Sequence, residues 1–164
     1  MDTLTYVPIT NYTVTNTTTN LITWSSIPST YTDLRIVMNL IDPNYYSALR
    51  FNNDSSSNYS RTYMQGTGSA ASGGSNTNQT EIGTGATNTG PEYFLSTFDI
   101  FSYADTSKYK TVIQRWASVQ GAETAALVHM WRSTSAINTI TFTDPASTYF
   151  GNGSTFALYG IKAA

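Results

Sequence analysis

Short stretches in which apolar and polar residues alternate recur along the chain, and they predict β-strands. The clearest runs from Leu34 to Ile41, where the even positions are all Leu, Ile or Met and form one face. Pro8 argues against a central strand near the start of the chain. No window of ten or more residues holds a helical stripe, so the pattern predicts an all-β protein. The other predicted strands lie at 3–9, 12–15, 21–24, 45–51, 58–64, 92–103, 109–119, 125–132, 136–142 and 155–161.

Turn-forming residues separate these strands at the spacing typical of sandwiches and barrels. Residues 52–55, Asn-Asn-Asp-Ser, predict a turn that joins 45–51 and 58–64 into a hairpin. No repeat of about 20 to 50 residues and no change of composition marks an internal boundary. We therefore expect a single domain over residues 1–164.

Two segments differ from this pattern. Residues 1–19 are rich in Thr and Asn, and they form either the first strand or an arm that adds strands to a neighbouring molecule. Residues 66–90 contain seven Gly and a single large apolar residue, Ile82, which predicts a long exposed loop. Such a loop is either a contact element or a flexible insertion. In the arm interpretation the assembly interface comprises Leu4, Tyr6, Val7 and Tyr12.

Three predicted strands carry large apolar residues on both faces, namely 34–41, 93–101 and 127–131. A strand of an antiparallel sandwich ordinarily has one face in the core and one face in water. The predicted loops consist mostly of Gly, Ser, Thr and Asn and offer little apolar cover. We therefore expect neighbouring copies or a partner protein to cover the outer faces.

The composition excludes several classes of function. Charged residues make up 11% of the chain, against about 25% in an average protein, and the net charge is −2, so we expect no nucleic-acid partner. The absence of Cys excludes disulfides, thiolate zinc sites and thiol nucleophiles. The sequence shows neither a secretory signal nor the ~20 consecutive apolar residues of a membrane span. We expect synthesis in the cytoplasm, no secretion and no membrane partner.

Catalytic chemistry finds little support in the residues. The single histidine, His129, lies in a run that is apolar on both faces, where a hydrogen-bonded structural imidazole is favoured over a general base. There is no Gly-x-Ser-x-Gly motif. Four aspartates lie in turn sequences, where hydrogen bonding is the ordinary role, and they are Asp42, Asp54, Asp105 and Asp144. We expect a protein that is not an enzyme and that uses neither a metal nor another cofactor.

Four tyrosines surround the predicted hairpin and raise the alternative of a sugar-binding rim. They are Tyr45, Tyr46, Tyr59 and Tyr63. Flat rings beside polar groups suit a glycan, but tyrosine in a strand also packs its ring in the core and hydrogen-bonds through its hydroxyl. Both interpretations stay open at the level of the sequence.

Several segments resemble a β-rich module of virion proteins from tailed bacteriophages, including cyanophages. The resemblance spans about residues 22–164 and is carried by 49–54 with 58–60, by 100–111, by 131–137 and by 153–162. It implies a two-sheet antiparallel sandwich of jelly-roll type that is often trimeric, and it transfers no catalytic residues. Similar modules occur on capsids and in tail or receptor-binding proteins.

The chain lacks a long trimerising coiled coil and a tail-attachment domain, which favours a capsid decoration, or cement, protein. We expect it to oligomerise as a trimer on the surface of the phage head and to bridge major capsid proteins. The alternative function is a glycan- or receptor-binding module of a tail fibre or tailspike. A small hydrolase that depends on His129 is the least favoured class.

Overall fold

The computed structural model describes residues 5–16, 18–42, 47–84, 92–118, 122–144 and 149–162. These residues form twelve strands and contain no helix. The strands are β1 (Tyr6–Thr13), β2 (Leu21–Trp24), β3 (Asp33–Asp42), β4 (Ala48–Phe51), β5 (Tyr59–Gly66), β6 (Ala71–Gln79), β7 (Ile82–Gly83), β8 (Glu92–Phe101), β9 (Lys110–Ser118), β10 (Thr124–Trp131), β11 (Ile140–Thr143) and β12 (Thr155–Ile161).

The strands pair into two antiparallel sheets. The larger has eight strands in the order β1-β12-β3-β8-β9-β10-β5-β6, and the smaller has four in the order β2-β11-β4-β7. Buried side chains of both sheets form one continuous hydrophobic cluster. The predicted all-β, two-sheet antiparallel sandwich is therefore confirmed.

The chain crosses repeatedly between the sheets. The first strands alternate, with β2 and β4 in the small sheet and β3 and β5 in the large one. These connections join the two sheets into one sandwich. The β8–β9 pair widens the large sheet between β3 and β10, and β12 and β1 extend it on the far side of β3.

Alternation along each strand determines which side chains enter the core. In β10, every second residue from Ala125 to Trp131 is buried, and β9 shows the same pattern from Lys110 to Ser118. The two inner faces meet through aromatic rings. Phe142 of the small sheet lies with its ring centre 4.9 Å from that of Phe156 in the large sheet. Such contacts add about 0.5–1.5 kcal/mol each to the free energy gained by burial.

Lys110 is fully buried, yet its ammonium group is satisfied by the backbone. Its Nζ donates to the carbonyl oxygens of Asp105, Lys108 and Thr134 at 2.5, 2.8 and 3.2 Å. An ammonium group has three N–H donors, so each has an acceptor. The side chain thereby connects the loop before β9 to the segment that follows β10.

Two predictions made for the first half of the chain are wrong. Residues 45–51 and 58–64 do not form a hairpin, because β4 pairs with β11 and β7 in the small sheet while β5 pairs with β10 and β6 in the large one. The connection between them turns through Asn52 and Asn53, which both have positive φ. The Asn52 side chain fixes this turn by donating to the Ala136 carbonyl and accepting from the amide of Asn138.

The segment 66–90 is not a loop throughout. Its residues 71–79 form β6, which pairs along β5, and residues 82–83 form β7. Main-chain hydrogen bonds to β5 hold β6 in the sheet, and they require no alternation of apolar side chains. The Gly-rich sequence of β6 lacks that alternation, so it predicted a loop. Residues 85–90 lie outside the described part of the chain.

Gly160 offers a test of the packing between β12 and the loop that joins β2 to β3. A methyl group on Gly160 would lie 2.3 Å from Cγ of Tyr31, whose ring packs against the core. We expect Gly160→Ala to lower the free energy of unfolding by about 1–3 kcal/mol, as overpacking does, and to lower the Tm by roughly 5 °C. Gly66→Ala is the matched control, since its nearest neighbour would be 3.9 Å away. Equal Tm values for the two variants in thermal unfolding would contradict this packing.

Candidate functional site

The most distinctive surface of the molecule is the side of the eight-stranded sheet that faces away from the small sheet, called here the outer face. Side chains of directly paired residues point to the same side of a sheet. One row across it contains Val37, Thr97, Arg115, Ala126 and Met64. The adjacent row contains Arg35, Asp99, Ile113, Val128 and Thr62.

Large apolar side chains are concentrated on the outer face. Among the described residues twelve large hydrophobic side chains are exposed, and nine of them lie here. Leu95 is 55% exposed and Met64 is 69% exposed. The remaining seven are Tyr6, Val37, Tyr93, Phe101, Ile113, Val128 and Met130. The two-sided hydrophobicity predicted for three strands is thus present as exposed apolar surface, and β5 and β9 contribute to it as well.

The small sheet has an ordinary outward side. There Thr23, Thr141 and Arg50 occupy paired positions in β2, β11 and β4. Thr141 donates to the Asn53 side chain at 2.8 Å, and Arg50 forms an ion pair with Glu81 at 2.8 Å. The apolar character is therefore a property of one sheet and not of the whole surface.

A group of charges lies within the outer face. Asp99 is flanked by two guanidinium groups, with Arg35 Nε at 3.4 Å and Arg115 Nη2 at 3.6 Å from its oxygens. Arg35 also donates to the Tyr6 hydroxyl at 3.0 Å. Two cations share one carboxylate, so this cluster carries a net charge of about +1 near neutral pH. The Arg115 side chain is 65% exposed, which leaves it available to an incoming carboxylate.

A shallow depression of about 770 Å³ lies at the β5–β6 end of the sheet. Small residues create it, because Gly66, Ala71, Gly73 and Ala126 leave space beside the exposed side chain of Met64. It opens onto the outer face and continues its apolar surface.

The structure describes two of the four residues of the predicted tyrosine rim, Tyr59 and Tyr63, and Tyr59 does not lie on the surface. Tyr59 is buried, its hydroxyl accepts from the Phe51 amide at 3.0 Å and donates to the Asp54 carbonyl at 3.2 Å, and its ring stacks on Trp131. Burial raises the pKa of this hydroxyl well above its usual range. The prediction that placed Tyr59 on a rim is wrong, because the ring fills the core.

Tyr63 is half-buried, and its ring is engaged within the chain. The guanidinium carbon of Arg61 lies 5.4 Å from the ring centre, and Gly74 leaves space that the ring occupies, since a Cβ there would come within 2.9 Å of the hydroxyl. Tyr45 and Tyr46 lie outside the described residues.

The predicted assembly segment forms β1, which pairs with β12 of the same chain. Of its named residues, Tyr6 is exposed on the outer face, whereas Val7 and Tyr12 are half-buried on the inner side. Leu4 lies outside the described residues. The first-strand interpretation therefore holds over residues 6–13.

His129 belongs to a buried hydrogen-bonded network, as the sequence predicted for a structural imidazole. Its Nε2 lies 2.7 Å from Oε1 of Gln114. The Gln114 amide nitrogen donates to the Thr84 carbonyl at 2.8 Å and to Ser96 Oγ at 3.2 Å. The Gln114 oxygen must therefore accept, so Nε2 of His129 carries the proton. Burial, with a smaller contribution from Arg61, lowers the pKa of His129 to about 3.

Two further kinds of functional feature, a metal-binding cluster and a membrane-spanning helix, are absent from the described ranges. No three His, Cys, Asp or Glu side chains converge there to bind a metal ion. A search of the same ranges for a helix able to cross a membrane finds none.

Comparison with known proteins adds no family. No protein-family model matches the sequence, and no curated protein matches it. Among solved structures, the chain is similar to galectin LEC-6 from Caenorhabditis elegans, with 10% sequence identity and a TM-score of 0.32 over 97% of this chain and 96% of that chain. A likeness at this TM-score carries no functional argument.

The neutral, buried His129 predicts a specific loss of stability in acid. Its folded pKa is about 3 and its unfolded value is 6.5, so between these values only the unfolded chain takes up the proton. The neutral ring makes its full contribution to the free energy of unfolding above pH 6.5, and this contribution declines as the pH falls towards 3. At pH 4.5 we expect a loss of about 2–3 kcal/mol from this group.

Urea unfolding at pH 7 and pH 4.5 measures this contribution. His129→Gln keeps a neutral donor at the same place but does not titrate, so it should lose less stability than the unmodified chain over this interval. Equal losses in the two proteins would show that His129 is not buried in its neutral form.

Proposed function

We propose that this chain is a structural protein of a tailed-bacteriophage virion, a capsid decoration protein that oligomerises and stabilises the head by bridging major capsid proteins. The observation that carries the proposal is the apolar outer face of the eight-stranded sheet. An enzyme has no need of a broad, flat apolar sheet surface, whereas a protein that covers another protein requires one. The resemblance of the sequence to phage virion modules supports a major capsid protein as that partner.

The size of the outer face is suited to a stable interface. Each of the nine large side chains exposes about 80 Å², which is roughly half of the area that an aromatic residue buries. Together they expose on the order of 700 Å² of surface. A typical isolated protein exposes apolar patches of about 300–600 Å² at most. A standard interface covers about 800 Å² on each partner. The outer face therefore has the area of an interface.

The charges of the outer face indicate the chemistry of the partner surface. Most of the contact would bury apolar groups, which stabilise the complex by about 25 cal/mol for each Å² of apolar surface removed from water. The cluster of Arg35, Asp99 and Arg115 would remain with an unpaired positive charge if an apolar surface covered it, at a substantial cost. A partner with a carboxylate opposite Arg115 completes the pairing.

Recognition of a glycan by a tail protein is supported less well. The rim that suggested it has Tyr59 in the core and Tyr63 engaged by Arg61 and Gly74. Catalysis by His129 is also unsupported, because its Nε2 is bonded to Gln114 and the ring is 1% exposed.

Substitution of two matched leucines tests the proposed role of the outer face. Leu95 lies on it and is 55% exposed, while Leu21 lies on the outward side of the small sheet and is 57% exposed. We expect Leu95→Ser to weaken binding to phage heads that lack this chain by roughly tenfold, the value of about 1–2 kcal/mol of lost burial. Leu21→Ser should bind as the unmodified chain does.

Binding is measured by co-sedimentation of the purified variants with those heads. Equal weakening by both substitutions, or attachment of the chain to tails and not to heads, would contradict the proposal. Both residues are exposed, so neither substitution is expected to alter the thermal unfolding of the isolated chain.

A further inference from the structure

The two edges of the eight-stranded sheet differ in how they are protected from pairing. An edge strand presents unpaired N–H and C=O groups, and proteins commonly block it with proline, a bulge or a charge. At the β1 edge, Pro8 lacks an N–H, and the register with β12 shifts between Pro8 and Thr10. The β6 edge has neither a proline nor a charged side chain, because residues 71–79 read Ala-Ser-Gly-Gly-Ser-Asn-Thr-Asn-Gln. Its one register shift with β5 lies at the end of the strand, between Asn76 and Gln79.

The exposed edge of β6 is long and regular. Its pairing with β5 is continuous from Asn76 to Ala71. The regular part ends near Asn78, which has a φ of 56°. Residues 71–77 therefore form a straight edge, and no described strand lies beyond it in the sheet.

We propose that β6 of one molecule pairs antiparallel with β6 of a second copy, over residues 71–77, and joins two eight-stranded sheets across a two-fold axis. This concerns two copies of the free chain and does not depend on the proposed role in a virion. Main-chain hydrogen bonds supply the contact, as in other cases of strand addition.

The side chains of β6 favour a second copy over a foreign strand. They are small and mostly polar, and they carry no charge that would select a different sequence. The same lack of charge removes the repulsion that like charges facing each other across a two-fold axis would cause. Since Pro8 and the register shift obstruct the opposite edge, pairing ends with two copies and does not continue into a filament.

Pairing at this edge would also enlarge the outer face. The depression beside Met64 opens towards β6, where Gly73 and Ala71 line it. Two copies related by the two-fold axis would place their depressions on either side of the joined strands. The outer faces of both copies would then form one continuous surface.

Analytical ultracentrifugation of the purified chain at micromolar concentration tests the proposal. We expect a mass of twice the chain, which Ser75→Lys reduces to that of one chain because it places two ammonium groups close to the two-fold axis, diagonally across the pairing edge. Asn11→Lys is the matched control, since it places the same charge on an exposed position of β1, and it should remain paired. A monomeric unmodified chain, or an oligomer that Ser75→Lys leaves intact, would overturn the proposal.

Cross-linking provides a second measurement that does not depend on a destabilising charge. The chain has no Cys, so a single introduced thiol reports only contact between copies. Ser75→Cys should be captured as a dimer by a short bismaleimide, whereas Asn11→Cys should not. Equal capture at the two edges would show that β6 has no special role, and capture at Asn11 alone would assign the contact to β1.

Discussion

A sheet of eight strands that is backed by only four has more apolar surface than the described residues of the chain cover. The inner side chains, such as Phe98 and Ile36, are buried between the sheets and stabilise the fold. The outer side chains have no such cover within the described part of the chain, although several are as apolar as those inside. Contact of that surface with water costs free energy in proportion to its area. The proposed interface on the outer face would remove this cost.

Several polar groups inside the sandwich are held by hydrogen bonds within the chain. His129 is held by Gln114, Lys110 is surrounded by three carbonyl oxygens, and Trp131 donates to Asp54 at 2.7 Å. The contacts of Trp131 with Asp54 and of Lys110 with Thr134 join segments that are distant in sequence, and they fix loops against strands. His129 and Gln114 instead connect two neighbouring strands of the large sheet.

The sequence was informative where a strand is recognised by its own alternation. The pattern of Leu34 to Ile41 predicted β3 and its two apolar faces, because each residue's side is fixed by the strand period. The sequence was uninformative for β6, because this strand is held by main-chain hydrogen bonds to β5 and its own side chains show no alternation. Tyr59 was ambiguous, since its burial depends on Trp131, a residue distant in sequence. Likewise the partner of His129 became evident only once Gln114 was placed beside it.

Methionine oxidation in native particles tests the central claim most directly. Met64 and Met130 lie on the outer face and are 69% and 41% exposed, whereas Met38 is fully buried and serves as an internal reference. In the isolated chain Met64 and Met130 should oxidise much faster than Met38. In the assembly purified from its source, the account predicts that both become slow, as Met38 is. Equally fast oxidation of Met64 and Met130 in the isolated chain and in the assembly would contradict it.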